Sequence, residues 1–61
     1  MQKIEKLKIK ADQNDIEAIF KLGEIYANGE NVNKDIKKSI SYYQKAAAKG
    51  HKGAQVILGS I

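Results

Sequence analysis

The sequence has no cysteine, no arginine and one histidine, His51. Without cysteine the chain forms no disulfide and no thiolate metal site, and one histidine alone does not supply the ligands of a protein-only zinc site. Without arginine it lacks the planar group that reads guanine edges or holds a phosphate with two hydrogen bonds. We therefore predict no metal site and no cofactor, and we do not expect sequence-specific recognition of nucleic acid.

Long apolar runs are also missing. No stretch approaches the roughly 18 apolar residues that a membrane-spanning helix requires. The first ten residues alternate lysine with isoleucine and leucine instead of forming the apolar centre of a signal peptide. The resulting prediction is a cytoplasmic protein, unless the chain is a fragment with a signal upstream.

The 61 residues that are present are 43% hydrophobic and 30% charged, which is typical of one small globular domain and too apolar for a disordered chain. A domain of this size has a marginal core. With no disulfide or metal to support it, the chain depends on well-packed helices or on association with copies of itself or another protein.

The charge alternates along the chain, from basic to acidic and, after Glu30, to basic again, with a net charge of +4. Lys3, Lys6 and Lys10 would share one face of a helix, which suits either a solvated surface or a lysine-driven binder of nucleic acid or anionic membrane. Glu5 interrupts this stripe, and no aromatic residue is interleaved for base stacking. We favour the solvated surface and keep the binder of nucleic acid or membrane as the alternative.

An internal repeat is visible in the sequence. A shift of 36 residues aligns six identical pairs, namely Ile4 with Ile40, Ala11 with Ala47, Ala18 with Ala54, Leu22 with Leu58, Gly23 with Gly59 and Ile25 with Ile61. Several of these positions are four or seven residues apart, so they recur on one face of a helix. The pattern predicts a repeat made of two helices.

Capping and stop signals divide the chain into about four helices of an all-α fold. The predicted helices run from about Lys3 to Asp12, from a cap at Asn14 or Asp15 to a stop at Gly29, from Asn33–Asp35 to Lys49 before Gly50, and from His51 or Lys52 onward. We divide the chain into a capping helix (1–13), one complete repeat (14–50) and the first helix of a truncated following repeat (51–61).

The apolar spacing also predicts which residues are buried. The expected core comprises Ile4, Leu7, Ala11, Ile16, Ala18, Ile19, Phe20, Gly23, Tyr26, Ile36, Ser39, Ile40, Tyr42, Tyr43, Ala46, Ala47, Ala54, Ile57, Leu58 and Ile61, with Val32 as an apolar plug in the loop. We expect Gly23 and Gly59 to lie where a neighbouring helix approaches too closely for a Cβ.

About two thirds of the chain resembles the Sel-one-like repeat, a relative of the tetratricopeptide repeat. The resemblance rests on small, aromatic and glycine residues at fixed offsets: Ala18, Leu22, Gly23, Tyr26, Gly29, Val32, Asp35, Lys38, Tyr42, Tyr43, Lys45, Ala46, Ala47, Gly50, His51, Ala54, Leu58 and Gly59. It implies antiparallel helix pairs of an α-α superhelix, or solenoid. Ser39 departs from the usual alanine, Asn33 from a frequent proline, and residues 1–13 match a preceding repeat only weakly.

The residues give little support to catalysis. His51 has no serine, cysteine or carboxylate partner at triad or metal spacing. Acids such as Asp15 and Glu17 are explained by the dipole at the start of a helix. We predict that the chain is not an enzyme.

The resemblance implies a non-catalytic interaction or scaffold module that binds a peptide or protein on its concave helix face. By analogy with the tetratricopeptide groove, the candidate partner-binding residues are Glu17, Lys21, Glu24, Ala27 and Asn28. The two glutamates favour a basic or mixed partner segment. The open C-terminal helix predicts either a place in a longer repeat array or association between copies through this helix, and we do not expect nucleic acid or membrane as partners.

Overall fold

The computed structural model describes residues 2–60, with side chains from residue 4 onward, and it is helical in the way the sequence predicts. Its elements are α1 (Gln2–Asp12), α2 (Ile16–Asn28), α3 (Ile36–Ala48) and α4 (Lys52–Ser60). No strand occurs within residues 2–60. The all-α prediction is confirmed, and the predicted core residue Ile61 lies outside the described residues.

Aspartates start the two central helices. The Asp15 carboxylate accepts a hydrogen bond from the Ala18 amide at 3.2 Å, and the Asp35 carboxylate accepts one from the Lys38 amide at 3.0 Å. Each bond satisfies an amide that has no partner within the first turn of its helix. Of the two caps predicted for α2, Asp15 is therefore the one used.

Left-handed residues end the first three helices. Asn14 has φ +67° and follows α1, whereas Gly29 (φ +70°) and Gly50 (φ +98°) follow α2 and α3. At the end of α2, the amides of Gly29 and Glu30 both donate to the carbonyl of Ile25, at 2.8 and 3.1 Å. Such bonds satisfy carbonyls of the last turn, so the predicted stops at Gly29 and Gly50 are confirmed.

Helices α2 and α3 run antiparallel. The amide of Asp35, at the start of α3, donates to the Tyr26 carbonyl near the end of α2. Further along α3, the Tyr43 ring lies 5.4 Å from the ring of Phe20, nearer the start of α2. Helix α2 also packs on α1, and α3 also packs on α4, so each helix contacts the next one in the chain.

The seam between α2 and α3 is tightly packed around Gly23. A Cβ added at Gly23 would lie 2.7 Å from Cε1 of Tyr43, closer than real Cβ atoms approach any neighbour. The nearby Ser39 is buried, and its hydroxyl donates to the Gly23 carbonyl at 2.8 Å. Serine thus replaces the family's usual alanine without leaving a buried polar group unpaired.

The buried core is centred on α2, α3 and the start of α4. Its hydrophobic members are Ala18, Ile19, Leu22, Tyr26, Tyr43, Ala46 and Ala54. Most of the other predicted core residues are half-buried at its edges, including Phe20 and Ile57, and the loop residue Val32 is half-buried as well. The predicted stripe of α2 omitted Leu22, which has no exposed surface.

Two packing predictions are wrong. Ile36 was predicted to be buried but is 49% exposed, because it is the first residue of α3 and its side chain points back beyond the seam. Gly59 was predicted to permit a close helix approach, yet an added Cβ there meets nothing within 4 Å. In the described part of the chain, no helix covers that side of α4.

Helix length bears on the membrane question. The longest helices have 13 residues, and within residues 2–60 no helix is long and apolar enough to cross a bilayer.

Candidate interaction surface

Four of the five predicted partner-binding residues form one line along α2. Glu17, Lys21, Glu24 and Asn28 are spaced by four, three and four residues, so they share a helical face. Glu24 is half-buried and the other three are exposed. We call these four residues the α2 stripe, and they point away from the buried face of α2.

The fifth predicted residue does not belong to that line. Ala27 is half-buried and, at 100° per residue, lies about a quarter turn from the α2 stripe, towards the seam with α3. Its methyl group therefore borders the stripe instead of forming part of it.

At one end of the stripe, Glu17 lies beside His51. The two side chains approach to 3.5 Å between Oε2 and Nε2, which is an electrostatic contact and not a short hydrogen bond. Glu17 is nevertheless 79% exposed, so much of its carboxylate faces solvent. The contact links the start of α2 to the start of α4.

His51 is held by two further interactions. Its Nδ1 accepts a hydrogen bond from the Ala54 amide at 3.1 Å, which caps α4. Its ring stacks on Phe20, with centroids 4.1 Å apart and planes inclined by 15°. With Nδ1 acting as acceptor, the neutral imidazole carries its proton on Nε2, the atom that faces Glu17. The sequence-based prediction that His51 caps or packs is confirmed, since it does both.

A shallow groove of about 640 Å³ joins the starts of α2 and α4. Its walls include Ile16 and Glu17 on one side and His51 and Gly53 on the other. The 36-residue shift that aligns Ala18 with Ala54 also places Glu17 of α2 at the position of Gly53 of α4. The groove thus brings part of the α2 stripe next to the equivalent face of α4.

The other two charged residues of the stripe have different neighbours. Burial raises the pKa of the Tyr43 hydroxyl, and the negative charge of Glu24 adds to this rise. Lys21 shares a smaller groove of about 290 Å³ with Lys6, Leu7 and Lys10 of α1. Two lysines of the predicted basic stripe, Lys6 and Lys10, therefore lie near Lys21, whereas the side chain of Lys3 is outside the described residues.

A third groove lies between α1 and α3 and has a volume of about 640 Å³. It is lined by Lys8 and Asp12 from α1 and by Tyr42, Lys45 and Lys49 from α3, among others. No pattern in the sequence predicted this surface. The spacing of Tyr42, Lys45 and Lys49 places them on one face of α3, but the sequence did not show that α1 lies across from them.

The described residues offer no group suited to metal binding. Among residues 2–60 there is no cluster of three or more His, Cys, Asp and Glu side chains placed to hold an ion.

The comparisons with known proteins give one match. The family model of the Sel1 repeat matches residues 16–51, which is more than half of the chain. No curated protein and no solved structure matches the chain. The matched segment begins with the first residue of α2 and ends at the histidine that caps α4.

Proposed function

The chain belongs to the Sel1 repeat family, and we propose that it binds a peptide or protein segment on the α2 stripe and the adjoining start of α4. Repeats of this family generally mediate interactions between proteins. The sequence-based resemblance to this family is confirmed. We propose further that the module is non-catalytic and acts as a scaffold.

The proposal of peptide binding rests on the exposure and the charge of the α2 stripe. The stripe lies on the side of α2 opposite the core residues Ile19 and Leu22, and three of its four side chains are exposed. Among the side chains of residues 4–60, Lys21 has no carboxylate oxygen within 4.0 Å. An acid, a base and an acid in sequence along the helix would complement a partner segment of basic or mixed charge.

Reversing the two glutamates of the stripe tests the proposal. We expect the double variant Glu17→Lys and Glu24→Lys to weaken binding of lysine-bearing peptides about tenfold, because attraction becomes repulsion at two positions. The measurement is retention on an immobilised peptide array whose members range from basic to acidic. The same variant should gain retention of acidic peptides.

A matched control has the same change in net charge elsewhere. Glu5 and Asp12 are exposed acids of α1 outside the α2 stripe, so Glu5→Lys with Asp12→Lys should keep the wild-type retention of lysine-bearing peptides. Thermal melts of both variants show whether the fold survives, since Glu17 also faces His51. If the two double variants change the array pattern equally, the α2 stripe is not the binding surface.

We propose that α4 supports association between copies. Val56 on this helix is 68% exposed, on the side of α4 opposite the buried Ala54 and near Gly59, where an added Cβ meets nothing within 4 Å. Packing this face against the same helix of a second copy would remove its apolar surface from water. We expect light scattering to show a dimer at high protein concentration and Val56→Glu to shift it to monomer. A monomeric wild type at every concentration would reject this association.

Two other inferences from the sequence stay predictions. One is the division into a capping helix (1–13), a complete repeat (14–50) and the first helix of a following repeat (51–61). The other is a cytoplasmic location.

A further inference from the structure

We propose that the groove between α1 and α3 is a second docking surface, which binds a short acidic peptide carrying an apolar side chain. This inference goes beyond the proposed function, because the groove and the α2 stripe lie on different sides of the molecule. Ile19, which belongs to the buried face of α2, reaches the floor of the groove, whereas the α2 stripe points the opposite way.

The shape of the groove suits a peptide side chain. Its volume of about 640 Å³ falls within the range of sites that enclose small ligands. The apolar residues of its lining are Ala11, which is half-buried, Ala48, which is exposed, and Ile19, which is buried. An aliphatic side chain placed there would exchange water contact for contact with apolar groups on both helices.

The rim of the groove is basic. Lys8 from α1 and Lys45 and Lys49 from α3 line it, against a single acid, Asp12. None of these lysines has a carboxylate oxygen within 4.0 Å among the side chains of residues 4–60. Lys45 and Lys49 lie at the C-terminal end of α3, where the helix dipole is negative and favours a lysine. Lys8 lies before the last turn of α1, so the helix dipole does not explain its position. The three positive charges together complement a peptide that carries carboxylates.

Tyr42 provides a fixed hydrogen-bond donor in the same groove. Its ring stacks on Tyr26, with centroids 5.8 Å apart and planes inclined by 10°. Burial raises the pKa of the Tyr42 hydroxyl; Tyr26 and Asp12 act in the same direction, and Lys8 opposes them. The hydroxyl therefore keeps its proton at neutral pH and is available to donate to a carboxylate.

The same features favour a peptide over nucleic acid or a membrane. One face of Tyr42 is covered by Tyr26, which leaves less of the ring for stacking on a base. The chain has no arginine to hold phosphates with paired hydrogen bonds. A membrane surface is met by large apolar side chains that protrude, whereas the apolar residues here are two alanines and the buried Ile19 that line a groove.

The test uses a fluorescein-labelled peptide with a central leucine flanked by two glutamates on each side, measured by fluorescence anisotropy at low salt. We expect Lys45→Gln with Lys49→Gln to raise its Kd about fivefold to tenfold, because two charge contacts are lost. The matched control, Lys34→Gln with Lys37→Gln, removes the same charge from exposed lysines outside the groove and should change the Kd by less than about twofold.

A steric variant separates the groove from net charge. Ala48 is exposed and lines the groove, so Ala48→Trp should fill the space and raise the Kd about tenfold while leaving the thermal melt unchanged. The Glu17→Lys and Glu24→Lys variant should still bind this peptide, which distinguishes the groove from the α2 stripe.

Four outcomes would overturn the proposal. The first two are an equal rise of the Kd in both lysine double variants and an unchanged Kd in the Ala48→Trp variant. The third is loss of peptide binding in the Glu17→Lys and Glu24→Lys variant. The fourth is single-stranded DNA or phosphatidylserine vesicles that bind as strongly as the peptide and displace it. A peptide with glutamine in place of glutamate should bind much more weakly, and equal binding by it would also reject the role of charge.

Discussion

Replacing Gly23 with leucine should unfold the chain. A Cβ at this position would lie 2.7 and 2.8 Å from Cε1 and Cδ1 of Tyr43, and the rest of the leucine side chain would need still more space. Tyr43 is buried and packs on Phe20, so its ring has little room to move. Overpacking costs about 1–3 kcal/mol where the neighbours can shift and more where they cannot, so a leucine that clashes from its Cβ outward should cost as much as the about 3–5 kcal/mol that a core of this size supplies. Circular dichroism should show loss of helix at room temperature.

Gly59 offers the matched control for this substitution. It also lies in a helix, but an added Cβ would meet nothing within 4 Å. Gly59→Leu should therefore leave stability unchanged or raise it by up to about 1 kcal/mol, because leucine is a better helix former than glycine. If Gly23→Leu melted like the wild type, the close packing of α2 on α3 would be refuted.

Replacing His51 with alanine should lower the free energy of unfolding by about 2 kcal/mol. Roughly half of this loss comes from the cap, since the Ala54 amide would lose its acceptor at the start of α4. The other half comes from the ring stacked on Phe20, which contributes about 1 kcal/mol beyond the area that it buries. Urea denaturation followed by circular dichroism measures the difference.

A second substitution separates the two contributions of His51. Asparagine retains an oxygen that accepts from the Ala54 amide, but it has no ring to stack on Phe20. His51→Asn should therefore recover about 1 kcal/mol of the loss seen with alanine. A wild-type unfolding curve for His51→Ala would show that neither contact contributes to stability.

The helix ends were predictable from the sequence because they depend on neighbouring residues. Asp15 and Asp35 accept from amides three residues ahead, and Gly29 adopts a left-handed conformation that most side chains disfavour. Nothing distant in the chain is needed for these preferences. The spacing of Glu17, Lys21, Glu24 and Asn28 likewise defined one face of α2 before its neighbours were known.

The environment of each face was less predictable. Ile36 and Gly59 match the pattern of core positions, yet both are exposed, because burial depends on whether another helix lies opposite. Ser39 looked like a tolerated substitute for alanine, and only the structure shows its hydrogen bond to the Gly23 carbonyl. Side-chain periodicity indicates which residues of a helix share a face, but it does not identify what contacts that face.

The amino-acid sequence by itself thus determined the all-α class, the helix ends and the membership of the Sel1 repeat family, because local hydrogen bonding and recurring small residues specify them. The tertiary structure alone decided that Glu17 faces His51 and that Lys8 faces the basic end of α3 across a groove. Residues 34 or more positions apart meet there, and their meeting depends on how whole helices pack and not on any local preference.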